Sequence, residues 1–153
     1  MKNYFKKISK LCIGGRDVPQ KIIDKIIEYH AEPMNVVRHH LGVWITASLE
    51  SGFRPYWWEI ANGRNGGSQH CFGQKKSGII YASEKGAIDW TCKDFKYHWK
   101  EMLELIIKHT EYTRIAVYKG FIHCDYKATP SGMREVYKSN SKSEWELTRK
   151  IAA

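Results

Sequence analysis

Between residues 93 and 109 the apolar side chains Trp99, Met102, Leu103 and Ile106 recur at helical spacing, and both flanks of the segment carry a strand's signature. Ahead of it, residues 86–91 (GAIDWT) put Ala87, Asp89 and Thr91 on one face of a short strand. Behind it, TRIAVY and GFIHCDY flank Lys119-Gly120, the signal of a hairpin of two antiparallel strands. An amphipathic helix set between such strands has to lay its stripe on a sheet face. The first third of the chain repeats the demand. Pro19 suits the first turn of a helix over residues 19–30, with Ile22, Ile23, Ile26, Ile27 and His30 at helical period. Pro33 opens another, carrying Met34, Val37 and Leu41, and Gly42 ends it.

The remaining segments fill in around these. VWITASLES is β-branched and alternating and reads as a strand, while PYWWEIANGRNGG reads as a loop with helical potential in its middle. REVYK and SEWELT read as a terminal hairpin around SNSKS, with Trp145 as a core anchor. Residues 3–13 read as a short docking segment with Phe5, Ile8 and Leu11 at helical spacing. The order of helices, strand, loop, strand, helix and strands predicts an α+β fold: a small antiparallel sheet with helices packed on one face. A length of 153 residues without repeat or linker suits one domain, residues 1–153.

Charge narrows the partners. The formal net charge of +9 fits a solvated lysine-rich surface, a nucleic acid, an anionic membrane or an anionic cell-wall polymer. No nucleic-acid motif accompanies it, so nucleic acid is not the expected partner. No apolar run is long enough for a membrane span. The basic N-terminus alternates apolar residues with lysines and lacks the apolar core of a signal peptide. Cys12, Cys71, Cys92 and Cys124 form no C-x-x-C pair and read as small, reduced, semi-buried residues. Cys71 and Cys124 each follow a candidate ligand histidine and are alternative ligands, although on a strand Cys124 faces away from His123. The doublet His39-His40 diverges by about a hundred degrees on a helix, which disfavours a shared ion.

Candidate chemistry gathers in three places. His70 lies in a glycine-rich turn, Asp89 in the strand of residues 86–91, and His123 in FIHCDY. Two histidines and one carboxylate are a standard ligand set for a catalytic zinc, with the fourth position left to water. In this order SGFR, GGSQH with Gly73 after it, GAID and FIHCD resemble the zinc peptidases that cut D-amino-acid-containing peptides of bacterial cell walls. That family includes D-alanyl-D-alanine carboxypeptidases and phage endolysin peptidases. The lead-in VPQKIIDKIIEYHAEPMNVVRHHLG and VWITASLESGFR is similar to the family's helical entry into its SGxR strand. The resemblance spans most of residues 18–126 and implies Zn2+ on His70, Asp89 and His123. It also implies hydrolysis of peptidoglycan stem peptides by a monomeric protein. Such a protein would stay cytoplasmic until released to the wall, or would be associated with a virion.

Two departures bear on mechanism. Nineteen positions separate His70 from Asp89, far more than in the family, so residues 74–85 read as an inserted loop or hairpin, with Ala87 retained two before the Asp. Where many relatives carry an acid or histidine shortly before the last ligand, this chain has Gly120 and Phe121. Asp125 shares a strand face with His123, about 6.6 Å along, and is the candidate general base; orienting a ligand histidine is the rival role. Arg54 matches the SGxR arginine, which implies a grip on a substrate carbonyl or carboxylate; a salt bridge to Glu59 is its structural alternative. Ser68 resembles the serine that hydrogen-bonds substrate backbone, or else stabilises its turn. Trp57 and Trp58 are either core or the wall of a substrate groove. Two other function classes stay open: a non-catalytic cell-wall or virion component retaining the fold, and a nucleic-acid-binding domain resting on charge alone.

Overall fold

In the computed structural model, which describes residues 2–140, 142 and 144–152, the two leading helices are one continuous rod. Helix α1 (Gln20–Ile26) passes through a π-helical turn (Ile27–Ala31) into α2 (Glu32–Leu41). Pro33 explains the turn: it lacks an N–H for the carbonyl of Tyr29, and its ring crowds that carbonyl. The Tyr126 hydroxyl donates to the freed Tyr29 oxygen instead. Gly42 closes α2 at φ 76°, the left-handed cap expected of it.

Six strands follow: β1 (Ile45–Thr46), β2 (Ala87–Cys92), β3 (Arg114–Val117), β4 (Ile122–Asp125), β5 (Arg134–Ser139) and β6 (Trp145–Ile151). A short helix α3 (Tyr56–Ala61) lies between β1 and β2, and the long helix α4 (Phe95–His109) between β2 and β3. The sheet order is β1-β2-β4-β3-β5-β6. The strand expected over VWITASLES shrinks to two residues, because Leu49–Ser51 turn into a 3-10 helix that swings the chain toward Arg54. Ser141 and Ser143, in the turn of the terminal hairpin, lie outside the described residues.

The sheet is mixed rather than purely antiparallel, because β5 pairs parallel to β3. Strand β4 ends at Asp125, opposite Arg114 where β3 begins. A strand that starts beside β3 at that end has to run in β3's direction. Arg134 fixes the start, donating from Nε to the Tyr112 carbonyl at 2.8 Å and from one terminal nitrogen to the Ile107 carbonyl at 2.9 Å.

Alternation then divides the sheet's faces. Ile88, Trp90, Ile115, Ile122 and Cys124 enter a single core with Ile22, Ile26, Met34 and Val37 of the rod and Met102 and Ile106 of α4. Burying such side chains is the main favourable term in the fold, about 1.5–3 kcal/mol each. Asp89, His123 and Asp125 occupy the opposite face.

Candidate metal centre

Register builds the centre. Strands β2 and β4 pair Asp89 directly with His123 and Ala87 with Asp125; β3 pairs Ala116 with His123 and Arg114 with Asp125. Directly opposed residues sit close enough for side chains to meet, and Ala87 and Ala116 keep their own small. His123 Nδ1 lies 2.8 Å from one Asp89 oxygen, and His123 Nε2 lies 2.7 Å from an Asp125 oxygen. Both neighbours are acceptors, so both ring nitrogens donate and the ring carries a positive charge; a metal ion at Nδ1 would displace the proton facing Asp89. Burial disfavours that charge, but the bonds to Asp125 and Asp89 outweigh it and raise the His123 pKa to about 9.

The third member arrives on a separate loop. Ser68 caps a 3-10 turn (Gln69–Cys71), its Oγ accepting from the His70 N–H at 3.1 Å. The SGFR segment grips this turn twice: the Arg54 N–H donates to the His70 carbonyl at 2.8 Å, and His70 Nδ1 donates to the Gly52 carbonyl at 2.9 Å. Only glycine permits this. A Cβ on Gly52 would sit 1.9 Å from the Leu11 carbonyl oxygen, in the bridge joining Cys12 to Phe53. With Nδ1 donating, His70 presents a bare Nε2, 3.4 Å from the Asp89 oxygen that His123 also faces.

His70, Asp89 and His123 therefore form a buried group whose ligand atoms all lie within 4.8 Å of one another. The fit to a metal is good on the chemistry of the donors. Each imidazole has its outer nitrogen held, by the Gly52 carbonyl and by Asp125, which is how ligand histidines are fixed in tautomer and ring angle. For Asp89, burial raises the pKa, but the bond donated by His123 outweighs it and holds the carboxyl well below the usual carboxylate range. The carboxylate is thus ready in the anionic form a metal needs.

The supports around the group are equally defined. Asp125 is fully buried and takes a bidentate bond from Arg114, with Nε 2.9 and 3.1 Å from its two oxygens; the Lys127 N–H donates to it at 2.9 Å. Burial raises its pKa, yet His123 and Arg114 win and lower it to about 2. Arg54 donates from Nε to the Glu50 carbonyl at 2.6 Å, and one terminal nitrogen lies 3.8 Å from Asp89. Its expected structural partner, Glu59, pairs with Arg64 at 3.0 Å instead.

A cleft of about 390 Å³ opens over the group, with Arg54, Ser68, Arg114, Tyr118, Lys127 and Trp145 among the residues of its wall. Trp57 is not on that wall: it projects from α3 at 61% exposure. The aromatic wall comes from Trp145, whose ring centroid lies 5.3 Å from that of His123 and 4.8 Å from the Arg114 guanidinium carbon. The Trp145 indole N–H donates to the Tyr118 hydroxyl at 2.7 Å. His39 and His40 are exposed on α2 and lie outside the cluster, and all four cysteines are buried and free. Arg114, Tyr118, Lys127 and Trp145 escape a reading of the sequence. Arg114 was the accessible one, since pairing Val117 with Ile122 across the hairpin places it opposite Asp125.

Comparison with protein-family models, curated proteins and solved structures finds no match for this chain. Fold and site together define a class: an α+β protein with a six-stranded mixed sheet, carrying on its open face a buried His-Asp-His group able to hold a metal ion.

Proposed function

We propose that the protein is a zinc-dependent peptidase of bacterial cell-wall peptidoglycan, acting on D-amino-acid-containing stem peptides. The observation that carries this reading is the buried His70–Asp89–His123 group, pre-oriented by Gly52 and Asp125 at the base of an open cleft. The ordered motifs of the sequence supply the substrate class. A bound zinc would supply Lewis acidity and a water acidified to a pKa of about 7.

The chain's own residues do the rest. Arg54 is anchored by Glu50, and its remaining donors suit a peptide carbonyl or a terminal carboxylate. Ser68 accepts from the His70 N–H, which leaves its own proton for substrate backbone. Tyr118 accepts from Trp145, so its proton too is free to donate into the cleft. Asp125 orients His123 rather than acting as a base. It is buried, its oxygens are engaged by Arg114, His123 and the Lys127 N–H, and its low pKa makes it a poor proton acceptor at neutral pH.

Commitment of the acids favours a second reading. Among the described residues no uncommitted carboxylate lines the cleft; farther away, Glu59 pairs with Arg64 and Glu84 with Lys75. A non-catalytic wall-binding or virion component would need the fold and the metal but no base. One experiment separates the two. Purified peptidoglycan is incubated with the protein, with and without chelator, and released peptides are read by mass spectrometry. Chelator-sensitive release that is lost in His123→Ala supports the peptidase. Zinc loading and wall binding without released peptide supports the second reading.

A further inference from the structure

We propose that a lysine-rimmed groove beside β1, remote from the metal centre's wall, docks the protein onto an anionic phospholipid bilayer. The groove has a volume of about 360 Å³ and runs between the N-terminal segment and residues 44–47. Its apolar floor includes Phe5, Leu11 and Ile45; Lys2, Lys6, Lys7 and Lys10 stand along its rim. No Asp or Glu lines it, and none of these four lysines is paired with a carboxylate among the described residues. Trp44 projects from its side at 62% exposure.

The rim is a built structure and not a loose tail. Asn35 accepts from the Tyr4 N–H at 2.6 Å and donates to the Lys2 carbonyl at 2.6 Å. The Phe5 ring lies 5.2 Å from that of the core residue Trp90. The Trp44 carbonyl takes the Lys93 N–H at 2.9 Å, so the exposed indole rides on a fixed backbone.

Each feature has a use at an anionic bilayer. Clustered lysines are attracted to acidic headgroups, an exposed tryptophan settles at the boundary between headgroups and acyl chains, and an apolar floor accepts chain methylenes. Single-stranded nucleic acid fits less well. It needs successive free aromatic faces for stacking, and the Tyr4 ring is already covered by Arg38, 4.5 Å away, with Lys2 at 5.5 Å. Trp44 alone offers an open face there.

Vesicle sedimentation tests the proposal, using the full chain with phosphatidylcholine vesicles, mixed phosphatidylcholine–phosphatidylglycerol vesicles, and a single-stranded oligonucleotide as competitor. Binding to mixed vesicles should exceed binding to neutral ones by at least about tenfold and should weaken with salt. Lys6→Glu combined with Lys10→Glu should lower it by about twentyfold or more. Trp44→Ser should lower it and remove a blue-shifted component from the emission on vesicle addition. All these residues are exposed, so urea unfolding and metal content should stay unchanged and certify the variants. Equal binding to both vesicle types, no response to either variant, or displacement of the vesicles by the oligonucleotide would each overturn it. The readout does not depend on peptidase activity.

Discussion

Hydrogen-bond direction decides what individual residues can do in this protein. Asp125 has the right face and the right neighbour for a base, but its lone pairs are taken. Asp125→Asn should weaken metal binding by about tenfold to a hundredfold, because it loosens the ring it holds. Excess zinc should restore whatever activity the wild type has, as titration in a competing chelator would show; a rate loss that persists at saturating zinc would return the base role to it. His123→Ala should drop bound metal from about one ion per chain toward none by elemental analysis. His30 provides a separate test of how burial sets charge. Its Nε2 faces the Lys85 carbonyl at 2.9 Å and must donate, so its Nδ1 accepts from Tyr112 at 2.8 Å, and Trp90 donates in turn to Tyr112 at 3.1 Å. Burial lowers its pKa to about 3. The unfolded chain therefore binds a proton near pH 6.5 that the folded chain refuses until about 3. Stability is full above 6.5 and is lost as pH falls through that window, at about 1.4 kcal/mol per pH unit. In His30→Gln, urea unfolding between pH 6.5 and 4.5 should show a slope flatter by about that amount, even though the variant is less stable overall.

At the level of elements, the informative piece is the excursion of residues 74–85. None of it lines the cleft, and most of it is exposed, as its polar composition implied. Its neck, however, is built into the core. The buried Lys25 ammonium donates to the carbonyls of Phe72, Tyr81 and Glu84 at 2.7, 2.6 and 2.6 Å, which uses all three of its protons. Gly86, at φ 86°, closes the neck where a Cβ would lie 2.1 Å from the Phe72 ring. Lys25→Met keeps the stem and removes the donors, leaving carbonyls unsatisfied at about 1–3 kcal/mol each where they stay buried. Amide exchange should quicken around Gly73 and Tyr81, whose N–H to carbonyl bond at 3.0 Å spans the neck, while α4 stays protected. Unchanged exchange there would mean the lysine does not staple the loop.

For the molecule as a whole, the sheet separates tasks by face. One face is packed by the rod and α4, and the other carries the metal group on β2 and β4, joined by direct register pairs, and on the His70 turn. Metal held by β2, β4 and the His70 turn joins segments far apart in sequence through one ion, so metal should stabilise the fold globally. Zinc at about a hundred times its dissociation constant should add about 2.7 kcal/mol. Chelator should lower the melting temperature of the wild type and leave His123→Ala unaffected; an equal shift in both would place the metal elsewhere.

The helices over residues 20–41 and 95–109, the strands around Asp89 and His123 and the hairpin between Arg114 and Asp125 are legible in the sequence, because period and turn chemistry are local properties. So is the trio of candidate ligands, since residue type and order survive in one dimension. What folding alone decided are relations between distant segments. The parallel pairing of β5 with β3 follows from where β4 leaves the sheet. The presence of Trp145 on the cleft wall, where Trp57 had been a candidate, follows from β6 lying beyond β5. The filling of Asp125's lone pairs by Arg114 follows from cross-strand register, and the Gly52 carbonyl under His70 from a close approach to Leu11. Local sequence sets what each segment can become. Which acceptor meets which donor is set by packing, because each depends on two segments arriving at the same place.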